Sequence, residues 1–201
     1  MGRPSNSAER RAQIVTGLGQ VLATQGYAGA TIADIGRAAG LAPGLVHYHF
    51  KDKRAVLLAL VDDLVAKLRE RVARREGRAK SAAQRLTAFL DAAVALGPDA
   101  EPAVVACWVS VSAEAVADAE VRAVLSCVTA PLWADLRARV RAALREAGRP
   151  GTTAPAQAAL LWSAIQGSYL IAVTTPGVIP PGSMAKALRS HVDAMLHREA
   201  P

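Results

Sequence analysis

The chain has 201 residues, of which 52% are hydrophobic, and it carries a formal net charge of +7. This length allows a small domain and one larger domain, each with an apolar core. The positive charge favours a polyanion such as DNA as a partner, although an anionic membrane surface would attract the chain nearly as well. We expect no transmembrane segment, because the longest apolar run, Ala103 to Val111, has about half the length that a bilayer crossing needs. The first residues lack the apolar core of a signal peptide, so a cytoplasmic location is predicted.

The first predicted helix covers residues from about Ser7 to Gln25 and ends at Gly26. Its inward stripe consists of Ile14, Leu18, Val21 and Leu22. Arginines around the start of this helix are unsuited to a core and suited to a phosphate or a minor groove. They are Arg3, Arg10 and Arg11. Arg3 could equally belong to a terminus that is merely soluble and disordered.

Two short helices separated by a glycine turn are predicted between Thr31 and Lys53. Thr31 can cap the first helix, with Asp34 at its third position to complete a reciprocal cap. Gly40 ends that helix, since the residue after a helix commonly needs the left-handed conformation. Pro43 can occupy the first turn of the second helix, where its missing N–H costs nothing. The inward face of the second helix consists of Leu45, Val46 and Phe50, and the outward face, which has no carboxylate, of Ala42, Gly44, His47, Tyr48 and His49.

This segment resembles the helix-turn-helix of the TetR family of transcriptional regulators, whose recognition helix runs into a motif close to Y-x-x-F-x-x-K. Phe50 and Lys53 stand at the end of that motif, and His47 takes the place of the usual tyrosine. The order of His47, Tyr48 and His49 is similar to that in the BetI-like branch. The resemblance implies that Thr31 and Lys53 hold phosphates. The resemblance also implies that five residues lie in or beside the major groove of DNA, namely Pro43, Gly44, Leu45, His47 and Tyr48. Tyr48 and Phe50 could instead be core aromatics, which we expect for Phe50, whereas the phenol of Tyr48 suits a phosphate.

The rest of the chain predicts helices only, with no strand alternation. Their expected ranges are Lys53 to Glu76, Ser81 to Ala95, Ala103 to Ala117, Glu120 to Ala147, Pro155 to Thr174 and Ser183 to His197. Pro131 should kink or break the helix that contains it. The basic run from Arg69 to Arg78 is expected to be a solvated face, with a second DNA surface as the alternative.

We therefore predict an all-α fold with about nine helices. Residues 1–52 would form a three-helix, helix-turn-helix DNA-binding domain, and residues 53–201 a larger helical domain for effector binding and dimerisation. Cys107 and Cys127 are expected to be buried and reduced, with a redox switch as the alternative.

A subunit interface is predicted on the last two helices. The helix from Pro155 is apolar on more than one side, and Gly167 within it suggests the close approach of another helix. The resemblance to the TetR family implies that these helices form a four-helix bundle with a second subunit. The predicted interface residues are Ala164, Gly167, Ser168, Ile171, Leu188, Val192 and Met195. A monomeric core could also explain this pattern.

A ligand pocket is predicted from aromatic residues on separate helices of the second domain. With a carboxylate nearby, such residues would suit a cationic, planar or hydrophobic small molecule. The predicted lining is Phe89, Trp108, Glu114, Trp133, Trp162, Gln166 and Tyr169. Core packing is the alternative for each aromatic. Short stretches from Ala106 to Ala115 and from Ala164 to Leu170 are similar to the BetI-like branch, but Gln166 and Tyr169 differ from its usual residues.

No enzyme, metal or cofactor motif is found, since the sequence has no phosphate-binding glycine loop, no G-x-S-x-G, no CxxC and no HExxH. We therefore expect a dimeric transcriptional regulator, a repressor that a small-molecule effector releases from a palindromic double-stranded operator. The alternative is a DNA-binding or architectural module without an effector, controlled by protein contacts.

Overall fold

The computed structural model describes residues 6–94 and 101–197. Within these ranges the chain forms nine α-helices, one short 3₁₀ turn and no strand, which confirms the predicted all-α fold. The helices are α1 (Asn6–Gly29), α2 (Ile32–Ala38), α3 (Pro43–His49), α4 (Lys53–Glu76), α5 (Ala82–Ala93), α6 (Pro102–Ala117), α7 (Ala119–Glu146), α8 (Ala154–Thr174) and α9 (Ser183–His197). Arg3 lies outside the described residues.

The chain divides into two compact units that are not continuous in sequence. The first unit contains the chain up to Val65 together with Ala106–Val128, and the second contains Ala66–Val105 together with the chain from Thr129 onward. Helices α4, α6 and α7 therefore contribute residues to both units. A domain boundary between residues 52 and 53 stays a prediction.

The predicted helix breakers act as expected in the first unit. Gly26 interrupts α1 with φ 69° and ψ 177°, and Gly40 follows α2 with φ 67°. Both values lie in the left-handed region, where glycine avoids a side-chain clash. The first helix therefore ends near residue 25, and Tyr27 folds back into the core with 4% exposure.

Two further glycines decide how closely α1, α2 and α3 pack. A Cβ atom at Gly17 would lie 2.8 Å from the carbonyl oxygen of Ile35, and one at Gly36 would lie 2.9 Å from that of Leu41. Any side chain at these two positions would force the backbones apart. The sequence pattern did not reveal this requirement, because each contact joins residues from different helices or across the turn.

Pro131 lies inside α7, which is continuous from Ala119 to Glu146. A break of the helix at Pro131 is therefore excluded, and the expected alternative, a kink, stays a prediction. Proline removes the bond to the carbonyl of Cys127, but both residues are exposed, so solvent can replace that bond. The exposure of Cys127 also corrects the expectation that both cysteines are buried, since only Cys107 of the two is buried.

The core of the second unit is formed by α5, the later part of α7, α8 and α9. Its central side chains are Leu86, Phe89, Leu90, Leu136, Val140, Leu144, Leu161, Ile165, Leu188 and Val192. Trp133, Trp162 and Tyr169 are partly buried and pack against this cluster. The predicted aromatics of this unit thus converge on one apolar core.

Candidate DNA-binding surface and regulatory sites

The start of the helix-turn-helix is held by the predicted reciprocal cap. The side chain of Thr31 accepts a bond from the backbone N–H of Asp34 at 3.1 Å, and the Asp34 carboxylate accepts bonds from the N–H and hydroxyl of Thr31 at 3.1 and 2.6 Å. These bonds to Thr31, with a contribution from Arg37, lower the pKa of Asp34. The capping role of Thr31 is therefore confirmed, and its contact with a phosphate stays a prediction.

Helix α3 presents the predicted outward surface. Val46 and Phe50 are buried, Leu45 is half-buried, and Tyr48 is 80% exposed, which excludes a core role for Tyr48 and agrees with the core role expected for Phe50. The exposed residues of this surface are Ala42, Pro43, Gly44, His47 and Tyr48. The ring of Tyr48 contacts that of His49 edge to face, with centroids 5.0 Å apart.

Arg11 anchors the C-terminal end of α3. Its Nη1 donates to the carbonyl oxygen of His49 at 2.5 Å, and its Cζ lies 4.1 Å from the centroid of the Phe50 ring. A cation at this position also interacts favourably with the negative end of the helix dipole. Arg10, one residue earlier, donates to Gln13 on its own helix at 2.9 Å. Sequence reasoning had assigned Arg11 to DNA and had missed its contact with α3.

Lys53 makes a similar contact at the end of the first helix. Its Nζ donates to the carbonyl oxygens of Tyr27 and Ala30 at 2.8 and 3.0 Å and lies 4.2 Å from the centroid of the Tyr27 ring. Lys53 thereby ties the start of α4 to the segment that follows Gly26. Its predicted phosphate contact would have to coexist with these bonds.

Glu114 lies in the same unit, and its position changes its expected role. The Oε1 atom accepts a bond from the backbone N–H of Tyr27 at 2.9 Å. A Cβ atom at Gly26 would lie only 2.5 Å from that oxygen, so the glycine makes room for the carboxylate. Glu114 thus holds the turn at Gly26, whereas the sequence had suggested a ligand-binding carboxylate.

The predicted pocket residues are divided between the two units. Trp108 and Glu114 belong to the first unit, and Phe89, Trp133, Trp162, Gln166 and Tyr169 to the second. Trp108 is 8% exposed and Phe89 1%, as expected for core aromatics. Phe89 is also among the residues that line a cleft of about 260 Å³, and the Arg139 guanidinium carbon lies 5.2 Å from its ring centroid.

Arg71 is a buried cation that the sequence pattern did not identify. It belongs to the basic run that was expected to be solvated, yet its exposure is 6%. Its Nε donates to the carbonyl oxygen of Ala92 at 3.3 Å, at the C-terminal end of α5. Its Nη1 lies 3.7 Å from Oε1 of Glu101 and has no hydrogen-bond partner among the described residues. The expectation of a solvated face is therefore wrong for Arg71.

Helix α8 carries exposed apolar side chains. Leu160 and Leu170 are each 52% exposed and Val173 is 41% exposed. A Cβ atom at Gly167 would meet no atom within 4 Å, so packing within the described part of the chain does not require this glycine. The segment Gly151–Thr174 contains a window of mean hydropathy 1.2 and has the length and composition of a membrane span, properties that core helices of soluble proteins share. Length and composition alone do not separate such a span from an apolar subunit surface.

The predicted interface residues do not all lie on that surface. Ala164, Gly167 and Ile171 are half-buried and remain accessible. The others are buried in the core of their own chain, namely Ser168, Leu188, Val192 and Met195. The hydroxyl of Ser168 donates to the carbonyl of Ile165 at 2.7 Å. The assignment of these four residues to the interface is corrected, because their side chains are already covered.

Residues 14–60 match the family described as bacterial regulatory proteins, tetR family, and residues 82–197 match the BetI-type transcriptional repressor C-terminal family. The HTH-type transcriptional regulator BetI of Rhizobium meliloti (strain 1021) is 30% identical over 133 residues, which cover 66% of this chain and 65% of the relative. The BetI regulator of Escherichia coli O17:K52:H18 is 36% identical over 87 residues, covering 41% of this chain and 43% of the relative. The matched regions thus span less than two thirds of these relatives.

Solved structures of regulators share the fold. A transcriptional regulator from Pseudomonas aeruginosa PAO1 has a TM-score of 0.80 at 20% identity, with 97% of this chain and 94% of that chain covered. A regulator from Saccharomonospora viridis in complex with choline has a TM-score of 0.73 at 20% identity, with coverage of 95% and 97%. FadR from Bacillus subtilis in complex with stearoyl-CoA has a TM-score of 0.70 at 14% identity, with coverage of 94% and 99%.

At these identities the solved structures establish the fold alone. The two family matches are stronger evidence, since they coincide with the capped helix-turn-helix and with the helices that form the second core. Members of these families are transcriptional regulators and not enzymes, as the sequence predicted. The chain therefore belongs to the TetR family of bacterial transcriptional regulators and has a C-terminal region of the BetI type.

Proposed function

We propose that this regulator is a cytoplasmic homodimeric repressor that binds a palindromic operator through α3 and leaves it when a small molecule binds. The observation that carries the DNA-binding part is the exposed surface of α3, where Tyr48 is 80% exposed beside His47 and Gly44. This surface has few groups for strong base pairing of the arginine–guanine kind. Much of the affinity would therefore come from phosphate contacts and from two correctly spaced recognition helices.

Dimerisation is supported by α8. Its side chains Leu160, Leu170 and Val173 are large, apolar and exposed. Packing of these side chains against a second subunit would remove them from water. The open space at Gly167 would let a helix of the second subunit approach closely. A two-fold dimer would also place the two recognition helices about 34 Å apart, the spacing of successive major grooves on one DNA face.

The effector response is supported by the position of Glu114. Helix α6 begins with residues of the second unit and ends with residues of the first, where Glu114 bonds to the Tyr27 backbone. A ligand that displaces α6 would disturb this bond and the turn at Gly26. The regulators bound to choline and to stearoyl-CoA indicate that related folds accept small molecules of different charge and size.

A second candidate function is a DNA-binding module without an effector. The burial of Phe89 and Trp108 favours it, because core aromatics leave less lining for a pocket. The two functions differ in one measurable property, the release of DNA by a small molecule.

The test is to select fragments of the host genome that the purified protein binds and to read their common sequence. We expect a palindrome with half-sites about one helical turn apart, bound by a dimer in sedimentation experiments. Random fragments without a shared sequence would contradict the regulatory function. An operator that no small molecule releases would favour the second candidate.

A further inference from the structure

The buried guanidinium of Arg71 points to the charge of the ligand. Arg71 lies on α4 in the second unit, and its side chain is almost completely removed from solvent at 6% exposure. Buried charges are costly unless they are paired and hydrogen-bonded. Within the described residues, the Nε atom of Arg71 donates such a bond to the Ala92 carbonyl.

The Nη1 atom of Arg71 has no hydrogen-bond partner within the described part of the chain. The Glu101 carboxylate, which is the ion-pair partner of Arg71 among the described residues, lies 3.7 Å from Nη1, and this distance is too long for a hydrogen bond. The Glu101 side chain is 59% exposed and therefore remains largely solvated. Guanidinium groups bind carboxylates most strongly through short, paired N–H bonds, so a better partner than Glu101 is possible at Nη1.

A phenol lies within electrostatic reach of Arg71. Burial raises the pKa of Tyr169, and the positive charge of Arg71 acts on the same group in the opposite direction. Tyr169 packs against the core of the second unit, as does Leu68, three residues before Arg71 on α4. An apolar wall with a cation and a phenol nearby is the kind of lining that orients an amphiphilic ligand.

We propose that Arg71 anchors the effector of this regulator and that the effector is a monoanionic carboxylate with an apolar body. The ligand carboxylate takes the place of Glu101 at Nη1, and its apolar part lies against the side of the core that carries Tyr169. A carboxylate fits better than a phosphate, because Arg71 brings one positive charge. The inference rests on the proposed ligand-responsive function and replaces the cationic ligand that Glu114 had suggested.

The first experiment varies the ligand and leaves the protein unchanged. Operator release and tryptophan fluorescence are measured with carboxylates of graded length from acetate to dodecanoate. Matched probes are the methyl ester, alkyl phosphate and alkyltrimethylammonium of the most effective chain length. We expect saturable release by the carboxylate and at least about thirtyfold weaker release by the ester, since a buried charge pair loses one partner.

The second experiment compares Arg71→Gln with Arg75→Gln. Arg75 lies one turn later on α4, and the two substitutions remove the same charge. Circular dichroism and operator affinity without ligand establish that each variant is folded. We expect Arg71→Gln to require at least about thirtyfold more carboxylate for release, and Arg75→Gln to respond like the unmodified protein.

The outcomes separate this proposal from the function on which it rests. Release by the alkyltrimethylammonium, the ester or the phosphate in preference to the carboxylate overturns the anionic anchor but leaves a ligand-responsive repressor. An equal response of Arg71→Gln and the unmodified protein to the carboxylate also overturns it. If no probe of any class releases the protein from its operator, both the anionic anchor and the effector part of the proposed function are overturned. If Arg71→Gln does not fold, the comparison of matched ligands still decides the question.

Discussion

The guanidinium of Arg11 lies over the ring of Phe50, with Cζ 4.1 Å from the ring centroid, and its Nη1 donates to the carbonyl oxygen of the preceding residue, His49. Phe50 is 3% exposed and follows directly after α3. Arg11 of α1 thus contacts both the carbonyl of His49, the last residue of α3, and the ring of Phe50, which follows it. Arg11 acts as a positioning residue for α3, a role different from that of a DNA ligand.

Substituting Arg11→Gln should weaken operator binding about tenfold, because α3 loses a charged hydrogen bond and a cation–π contact. The slope of log affinity against log salt should change little, whereas loss of a phosphate contact would reduce it by about one. Arg10→Gln is the matched control, since it removes the same charge from a residue bonded to Gln13 on its own helix. Equal losses of affinity in the two variants, with equal reductions in slope, would contradict the positioning role.

Tyr48→Ala should weaken specific binding, because the exposed phenol of the recognition helix is lost while the core is untouched. One contact of this kind contributes about 1 kcal/mol, so an affinity about fivefold lower is expected. Tyr48→Phe, which keeps the ring, separates the hydroxyl from the remaining contact. Titration of labelled operator DNA checks the affinity, and sedimentation should show an intact dimer. Unchanged affinity at physiological salt would remove Tyr48 from the DNA-binding surface.

Replacing Lys53 by alanine should lower the free energy of unfolding by about 2 kcal/mol, because two carbonyl bonds and the contact with the Tyr27 ring disappear. Lys51→Ala removes the same charge from an exposed position and serves as the control. Urea unfolding monitored by circular dichroism compares the variants. If Lys53 also contacts a phosphate, as the family resemblance implies, the salt slope of DNA binding falls as well. A Lys53 variant as stable as the control would refute the structural role.

A bulky residue at position 167 should act on the dimer and spare the subunit. Gly167→Leu has open space in its own chain, so the folded subunit should remain stable while the approach of a second subunit is blocked. We expect the dimer dissociation constant, measured by sedimentation, to rise by about a hundredfold, as overpacking at a close helix contact commonly costs 1–3 kcal/mol. Ala134→Leu on the exposed face of α7 adds a similar apolar side chain as a control. An unperturbed dimer would place the interface elsewhere.

The alkaline stability of the protein should depend on Tyr27. Burial, followed by the charges of Glu120, Asp118 and Asp52, raises the pKa of Tyr27 from 10.0 to about 12. The folded protein therefore holds this proton more tightly than the unfolded chain. The resulting stability is complete below about pH 10 and is lost as the pH rises towards 12. Urea unfolding across this window should show a steeper decline for the unmodified protein than for Tyr27→Phe; parallel curves would exclude the effect.

Local features of the helix-turn-helix could be predicted because they involve neighbours in sequence. The reciprocal cap joins Thr31 and Asp34, and the turn at Gly40 depends on the conformation of one residue. The helical period likewise assigned Val46 and Phe50 to the interior and left Tyr48 outside. Within the described ranges, such short-range rules account for the helices and for the recognition surface.

The sequence by itself determined the all-α class, the family and the exposed surface of α3 that we propose to face DNA, because each is encoded by spacing within a few residues. The tertiary structure decided the roles of long side chains whose partners are remote. The bond between Tyr27 and Glu114 joins residues 87 positions apart, and that between Arg11 and His49 joins residues 38 apart. A charged residue looks the same in sequence whether it is solvated, caps a helix or is buried like Arg71. Only packing supplies the carbonyl, the ring or the apolar wall that distinguishes these roles.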